Sequence, residues 1–249
     1  KPKIEESIPS PQEKRDVISP IKGKQTQETT SAVETFPYEN RLYEILFTSL
    51  GGNAALLKQG SVPFYEAHLD EKGIFGVTLQ HEEDLTAENF HPVPSSEPGA
   101  PPTFVYEKPG EYRLTKKYFV GSEKPTLVLE IDLENTSSRE KHFPIEFVYA
   151  LDLNLAGHSQ DEALAKVAHF SGTELETVPV GKLKKRPFLA AGSFDWHGLV
   201  RKYYALLVKP ELKLINHENE FKDGRLESRL ALAPLSVGPG ETKTTRILI

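Results

Sequence analysis

From Phe36 onward, apolar and polar residues alternate in short runs separated by turn-forming residues. Tyr43, Ile45 and Phe47 share one face of a strand. Gly51-Gly52 then turns the chain into a second strand that ends near Lys58. Residues 92 to 102 are proline-rich and read as a loop, because proline supplies no N–H to a helix or an interior strand. Tyr112 to Val120 is a further strand.

The clearest alternation follows. Leu127, Leu129, Ile131 and Leu133 interleave with Val128, Glu130 and Asp132, and Asn135 to Ser138 forms a turn. Phe143, Ile145, Phe147, Tyr149, Leu151, Leu153 and Leu155 then occupy every second position. A helix would scatter these side chains around its circumference, whereas a strand lines them along one face. At ~3.3 Å per residue the run spans roughly 40 Å, which predicts a large, curved sheet.

Helical signal is sparse. Ser159 to Ala168 predicts about two turns, with Ser159 as N-cap and Glu162 completing a capping box. Asp195 is expected to cap a short helix through Trp196 to Lys202, with Trp196, Leu199 and Tyr203 on its buried face. Tyr203 to Lys209 continues as a strand. Leu226 to Leu235, a Gly238-Pro239-Gly240 turn and Thr242 to Ile249 complete the alternation. The pattern predicts an all-β, two-sheet sandwich with one to three short helices, in one domain over residues 34–249. Residues 1–33 hold Pro2, Pro9, Pro11 and Pro20, mixed charges and no aromatic residue, and read as a disordered tether.

Charge narrows the function. A net charge of −6 and a pI near 5.8 disfavour a nucleic-acid partner, whose phosphates would be repelled. No run approaches the length of ~18 apolar residues that would span a bilayer. Cysteine is absent, which excludes disulfides, thiolate metal sites and thiol nucleophiles.

Candidate chemistry is thin. His158, Ser159, Asp161 and Glu162 adjoin in sequence, whereas a hydrolytic triad converges from separate elements, so helix capping is the better reading. His81, Glu82, Glu83 and Asp84, with His91 nearby, could ligate a metal, but their spacing matches no metal loop and a solvated strand end accounts for them. Lys182, Lys184, Lys185 and Arg186 form the one dense basic run. It suits anionic headgroups or an acidic partner, against a plain solvated loop. Gly51-Gly52 lacks the Gly-Lys-Ser/Thr of a phosphate loop. Trp196, with Phe194, Tyr203 and Tyr204, is an aromatic cluster suited to core packing or to stacking on a ligand. No residue is assigned a catalytic, cofactor or metal role.

Three segments together resemble the large periplasmic domain of the YidC family of bacterial inner-membrane insertases. They are Tyr43 to Lys58 with its double glycine; Leu114 to Phe147, in which Thr115-Lys116-Lys117-Tyr118-Phe119-Val120 leads to Val128 through Asn135; and Trp196 to Pro210. The closing Gly238-Pro239-Gly240-Glu241 turn matches in kind. The positions shared with the family are Gly51, Gly52, Asn135, Trp196, Gly198, Tyr203, Tyr204 and Pro210, and their expected role is structural. Leu50 stands where the family usually has Arg, and Tyr204 where it has Phe. The resemblance covers residues 38 to 249 and implies a β-supersandwich similar to galactose-mutarotase-like domains. It implies a periplasmic location, tethering to the inner membrane by transmembrane helices that do the insertion, and contacts with Sec translocon subunits and nascent membrane proteins. It implies no cofactor.

The alternative is a carbohydrate-binding or mutarotase-like supersandwich. That chemistry needs a general acid and base, nominally His169 or His197 with Glu130 or Glu146, converging on a cleft. A structural spacer is the third reading.

Overall fold

The computed structural model describes residues 33–67, 71–79, 84–95, 97, 100–153, 163–202 and 204–249. The tether expected over 1–33 falls almost wholly outside them, as do Asn154, Leu155 and the capping group His158 to Glu162.

The principal layer is a nine-stranded antiparallel sheet. Its order is β13 (Glu174–Pro179), β12 (Lys166–Ser171), β15 (Trp196–Val200), β16 (Ala205–Pro210), β20 (Thr242–Leu248), β9 (Leu127–Glu134), β8 (Tyr112–Val120), β7 (Thr103–Lys108) and β6 (His91–Pro92). Opposite it stands a five-stranded sheet in the order β14 (Phe188–Phe194), β17 (Leu214–Lys222), β18 (Arg225–Leu232), β11 (Ile145–Asp152) and β5 (Gly76–Leu79). A four-stranded meander, β1 (Thr35–Glu39), β2 (Tyr43–Thr48), β3 (Ala54–Gln59) and β4 (Val62–Glu66), and a short pair, β10 (Lys141–Phe143) with β19 (Leu235–Val237), complete it. The expected two sheets are therefore four by hydrogen bonding among the described residues.

The inner faces follow the period-2 pattern. Leu129, Ile131 and Leu133 of β9 and Leu114 and Tyr118 of β8 pack into one core cluster with Phe147, Tyr149 and Leu151 of β11. The run from Phe143 keeps its buried odd face as far as Leu153, but not as one strand. Pro144 has no N–H for a ladder, and the chain changes partner there, from β19 to β18 and β5. The even face of β11 is not simply solvated: Ala150 and Asp152 are buried.

The helix expected over Trp196 to Lys202 is corrected. Trp196–Val200 is a strand, paired with β12 and β16. Spacings of three and four among Trp196, Leu199 and Tyr203 mimic a helix face, yet His197, Leu199 and Arg201 at spacing two are the residues that go inward and are buried. Asp195 accepts from the Gly172 N–H at 2.7 Å instead of capping a helix. Of Ser159 to Ala168, Ala163 and Leu164 are helical and Lys166–Ala168 lie in β12. A further helix of one turn, Val180–Leu183, forms at the start of the basic run that reads as a loop in sequence. No helix among the described residues is long and apolar enough to cross a membrane.

Candidate functional site

The positions on which the insertase resemblance rests lie on separate elements. Gly51 and Gly52 turn β2 into β3 with consecutive positive φ values of 67° and 55°. A Cβ at Gly51 would lie 2.7 Å from the Thr86 carbonyl oxygen. The carbonyls of this turn are held from β8: Lys116 Nζ donates to Gly51 O at 3.0 Å, and Tyr118 Oη donates to Gly52 O at 2.6 Å. Asn135, fully buried, donates through Nδ2 to Val237 O at 2.8 Å and to Arg139 O at 2.6 Å, and its Oδ1 accepts from Ser137.

Gly198 lets Leu207 of β16 close over β15, since a Cβ there would meet Leu207 Cδ2 at 2.6 Å. Trp196 is half-buried on the outward face of β15 and stacks on Phe170 at 5.9 Å between centroids. Tyr204 is exposed and meets Phe64 edge-on at 5.8 Å. Pro210 is buried opposite Ile247. Tyr203 lies outside the described residues, as do His81, Glu82 and Glu83. Asp84 caps the 3-10 turn Leu85–Ala87, and His91 is exposed on β6.

The main concentration of functional groups is internal: it joins His169 and His197, nominal candidates in the sequence, to His217, which sequence reading misses. His169 of β12, His197 of β15 and His217 of β17 are all buried, with His217 centred 4.7 Å from His169 and 4.5 Å from His197. Tyr149 Oη meets His197 Nδ1 at 2.5 Å. Ser228 Oγ donates to Asn219 Oδ1 at 2.6 Å, and Asn219 Nδ2 reaches His217 Nδ1 at 2.7 Å and Phe188 O at 3.4 Å. Those contacts fix the amide orientation, so His217 Nδ1 accepts and its proton sits on Nε2. His169 Nε2 donates to Glu176 Oε2 at 3.0 Å, at the exposed β13 edge. No group of three or more His, Cys, Asp or Glu that could hold a metal ion occurs among the described residues. Burial pushes His217 down to about 3 and His197 well below the usual imidazole range, with the neighbouring imidazoles adding to the effect. His169 and His197 stand at inward positions two residues from buried Val167 and Leu199, whereas His217 follows a bulge between Leu214 and Asn216 and has Asn219 as its inward neighbour.

The nominal acid and base pairs do not converge. Glu146 is on β11 with the opposite parity to Tyr149, so it faces away from the histidines, accepting from Thr78 Oγ1 at 3.2 Å. Glu130 of β9 is tied to Arg246 at 2.8 Å and Lys117 at 3.1 Å.

The outer face of the five-stranded sheet carries a polar cleft of about 350 Å³ beneath the segment joining β4 to β5. Arg225 is its centre: it pairs with Glu71 at 3.0 Å, donates to Glu66 O at 3.1 Å and lies over the Tyr65 ring at 5.2 Å. Arg229 pairs with Glu227 at 2.8 Å. No imidazole lines this cleft among the described residues. A smaller cavity of about 180 Å³, lined by Leu57, Phe64, Leu127 and Leu206, is apolar. The arrangement can hold a polar ligand against Arg225 and Arg229, and it lacks a facing acid and base.

In fold the chain is similar to a protein of Escherichia coli K12 that carries a provisional aldose 1-epimerase name, at a TM-score of 0.65 and 9% identity over 87% of this chain and 98% of that one. A galactose mutarotase related enzyme from Lactobacillus acidophilus aligns at a TM-score of 0.61 and 9% identity, covering 86% and 96% of the two chains. A galactose mutarotase-like protein from Lactobacillus casei ATCC 334 aligns at 0.62 and 11%, covering 86% and 98%. No family model and no curated protein matches the sequence. The fold is a galactose mutarotase-like, mostly β supersandwich.

Proposed function

We propose that this chain is a non-catalytic binding domain on a galactose mutarotase-like scaffold, serving a YidC-type membrane-protein insertase from the periplasmic side. The observation that carries the non-catalytic reading is the separation of groups. The imidazoles are enclosed between the sheets, the carboxylates Glu146 and Glu227 lie on the far side of the five-stranded sheet, and Glu176, which does meet an imidazole, is taken up in a hydrogen bond with His169. An anomeric carbon cannot meet Glu146 or Glu227 together with the imidazoles. The insertase assignment rests on the sequence resemblance, which implies this fold. It is supported by the meeting of two of its segments, where Lys116 and Tyr118 hold the carbonyls of Gly51-Gly52.

A second reading is a carbohydrate-binding domain. The names of the structural neighbours speak for it rather than for an insertase, and the Arg225–Tyr65 cleft has the polar groups and the ring face that a sugar uses. One experiment separates the two. Immobilised domain is offered solubilised Sec translocon complexes, and in parallel a panel of mono- and disaccharides by ligand-observed NMR. The insertase reading expects translocon binding and no sugar response. Sugar binding that disappears in Arg225→Ala, without translocon binding, would replace it.

A further inference from the structure

Directly paired residues of antiparallel strands share a face of their sheet, so the register defines rows of side chains that run across the strands. On the outer face of the nine-stranded sheet one row reads Pro179, Lys166, Val200 and Ala205, and the next reads Thr177, Ala168, Gly198 and Leu207. The third holds Leu175, Phe170 and Trp196, then Lys209 beside Leu248, and ends on Val128 and Phe119. Leu175 is 58% exposed, Leu207 48%, Phe119 44% and Leu248 43%. Contiguous apolar surface of this kind marks a place where something docks. Charge is distributed unevenly around it. No acidic residue stands in the three rows, whose charges are Lys166 and Lys209. Lys202 is exposed in the turn from β15 to β16, and Lys182, Lys185 and Arg186, all exposed, follow Pro179 in the chain. One row further along β9 and β16, Glu130 is paired with Lys117 and Arg246, and Glu211 accepts from the Arg246 backbone N–H. This local excess of lysine stands against a net charge of −6 for the chain.

We infer that this face is a docking surface for an anionic phospholipid bilayer. Its leucines and aromatic rings enter the boundary between headgroups and acyl chains, where an amphipathic indole such as that of Trp196 is favoured. Its lysines meet the lipid phosphates. Charge complementarity selects this occupant: a second copy docked by the same face would set Lys166, Lys209 and the basic margin against their like. The inference stands apart from the insertase reading, because vesicle binding needs no translocon.

Co-sedimentation of the full chain with vesicles tests it, using phosphatidylcholine alone and phosphatidylcholine mixed with phosphatidylglycerol. Binding is expected to the mixed vesicles and should weaken as salt rises. Trp196 is the one tryptophan and lies within the face, so its emission should shift to the blue and be quenched by brominated acyl chains. Leu248→Glu and Lys209→Glu change exposed side chains. Each should melt like the parent and bind about tenfold more weakly, with circular dichroism confirming the fold. Leu189→Glu, on the exposed β14 edge of the other sheet, should bind as the parent does. Absence of binding to the mixed vesicles overturns the inference, as does equal binding to neutral ones or binding that leaves Trp196 emission unmoved. A blue shift caused by an extended apolar peptide and not by vesicles would assign the face to a polypeptide instead.

Discussion

Lys116 Nζ lies 2.7 Å from Asn53 Oδ1, fully enclosed in the core. The same nitrogen donates to Phe75 O at 2.7 Å and Gly51 O at 3.0 Å, and it sits over the Phe90 and Tyr118 rings at 5.8 and 5.6 Å. Burial pulls this lysine well below its usual range, while three oxygen acceptors and two ring faces oppose that pull. One side chain thereby ties the Gly51-Gly52 turn, the entry to β5 and the strand β8.

Removing that tie leaves three acceptors without a donor inside the core. Each buried group so stranded costs about 1–3 kcal/mol, so Lys116→Met is expected to destabilise the domain by about 3 kcal/mol or more. Urea unfolding at neutral pH measures it. A loss below about 1 kcal/mol would mean that the turn holds itself without the lysine.

The odd face of β11 predicts a second pair of values. Leu151→Ala should cost about 2–5 kcal/mol, as large-to-small changes in packed cores do. Leu175→Ala, on the exposed edge strand β13, should stay within about 0.5 kcal/mol. Equal costs at the two sites would contradict the assignment of the inner face.

The buried imidazoles give stability a pH dependence with a definite sign. In the folded chain His217 titrates at about 3 and His197 well below its usual range, whereas unfolded histidines take up protons near 6.5. Between those values the unfolded state binds more protons. The contribution is therefore complete above about pH 6.5 and is lost as pH falls towards 3, at up to about 1.4 kcal/mol per pH unit for each group. Urea midpoints at about pH 7.5 and about pH 5 should differ accordingly. His217→Gln should flatten the difference by one group's share. Identical midpoints for the parent chain would mean that the imidazoles are not held neutral.

Trp196 provides an optical check on the corrected strand. A half-buried indole stacked on Phe170 should emit at an intermediate wavelength and be partly quenched by acrylamide. Trp196→Ala is then expected to cost about 1–2 kcal/mol, less than the ~3–5 kcal/mol of a fully enclosed aromatic. Blue, unquenchable emission would restore the buried helix face that the sequence alone suggests.

Much of this architecture is legible in the order of residues, because a strand of two-fold period displays its buried face directly. Leu127 to Leu133 and Phe143 to Leu153 could be assigned to the core without coordinates. The Trp196 segment could not. Its residues satisfy a helical spacing and a strand spacing together, and only pairing with β12 and β16, thirty-four and five residues away at Lys166↔Val200 and Val200↔Ala205, decides between them. The imidazole cluster was illegible for a related reason. His169, His197 and His217 stand on three strands from two sheets, and no local pattern signals that they meet. Pro144 was readable as a break, since it interrupts the long alternation with a missing donor, yet the alternation continues through it.

The central claim is that the scaffold binds without catalysing, because its imidazoles are enclosed while Glu146 and Glu227 lie on the opposite side of a sheet. Polarimetry of freshly dissolved α-D-galactose and α-D-glucose, with and without the chain, tests it most directly. The rate of anomeric conversion should equal that of buffer and be unchanged in His169→Gln and Glu146→Gln. A rate above buffer that falls in either variant would contradict the account and make this chain an epimerase.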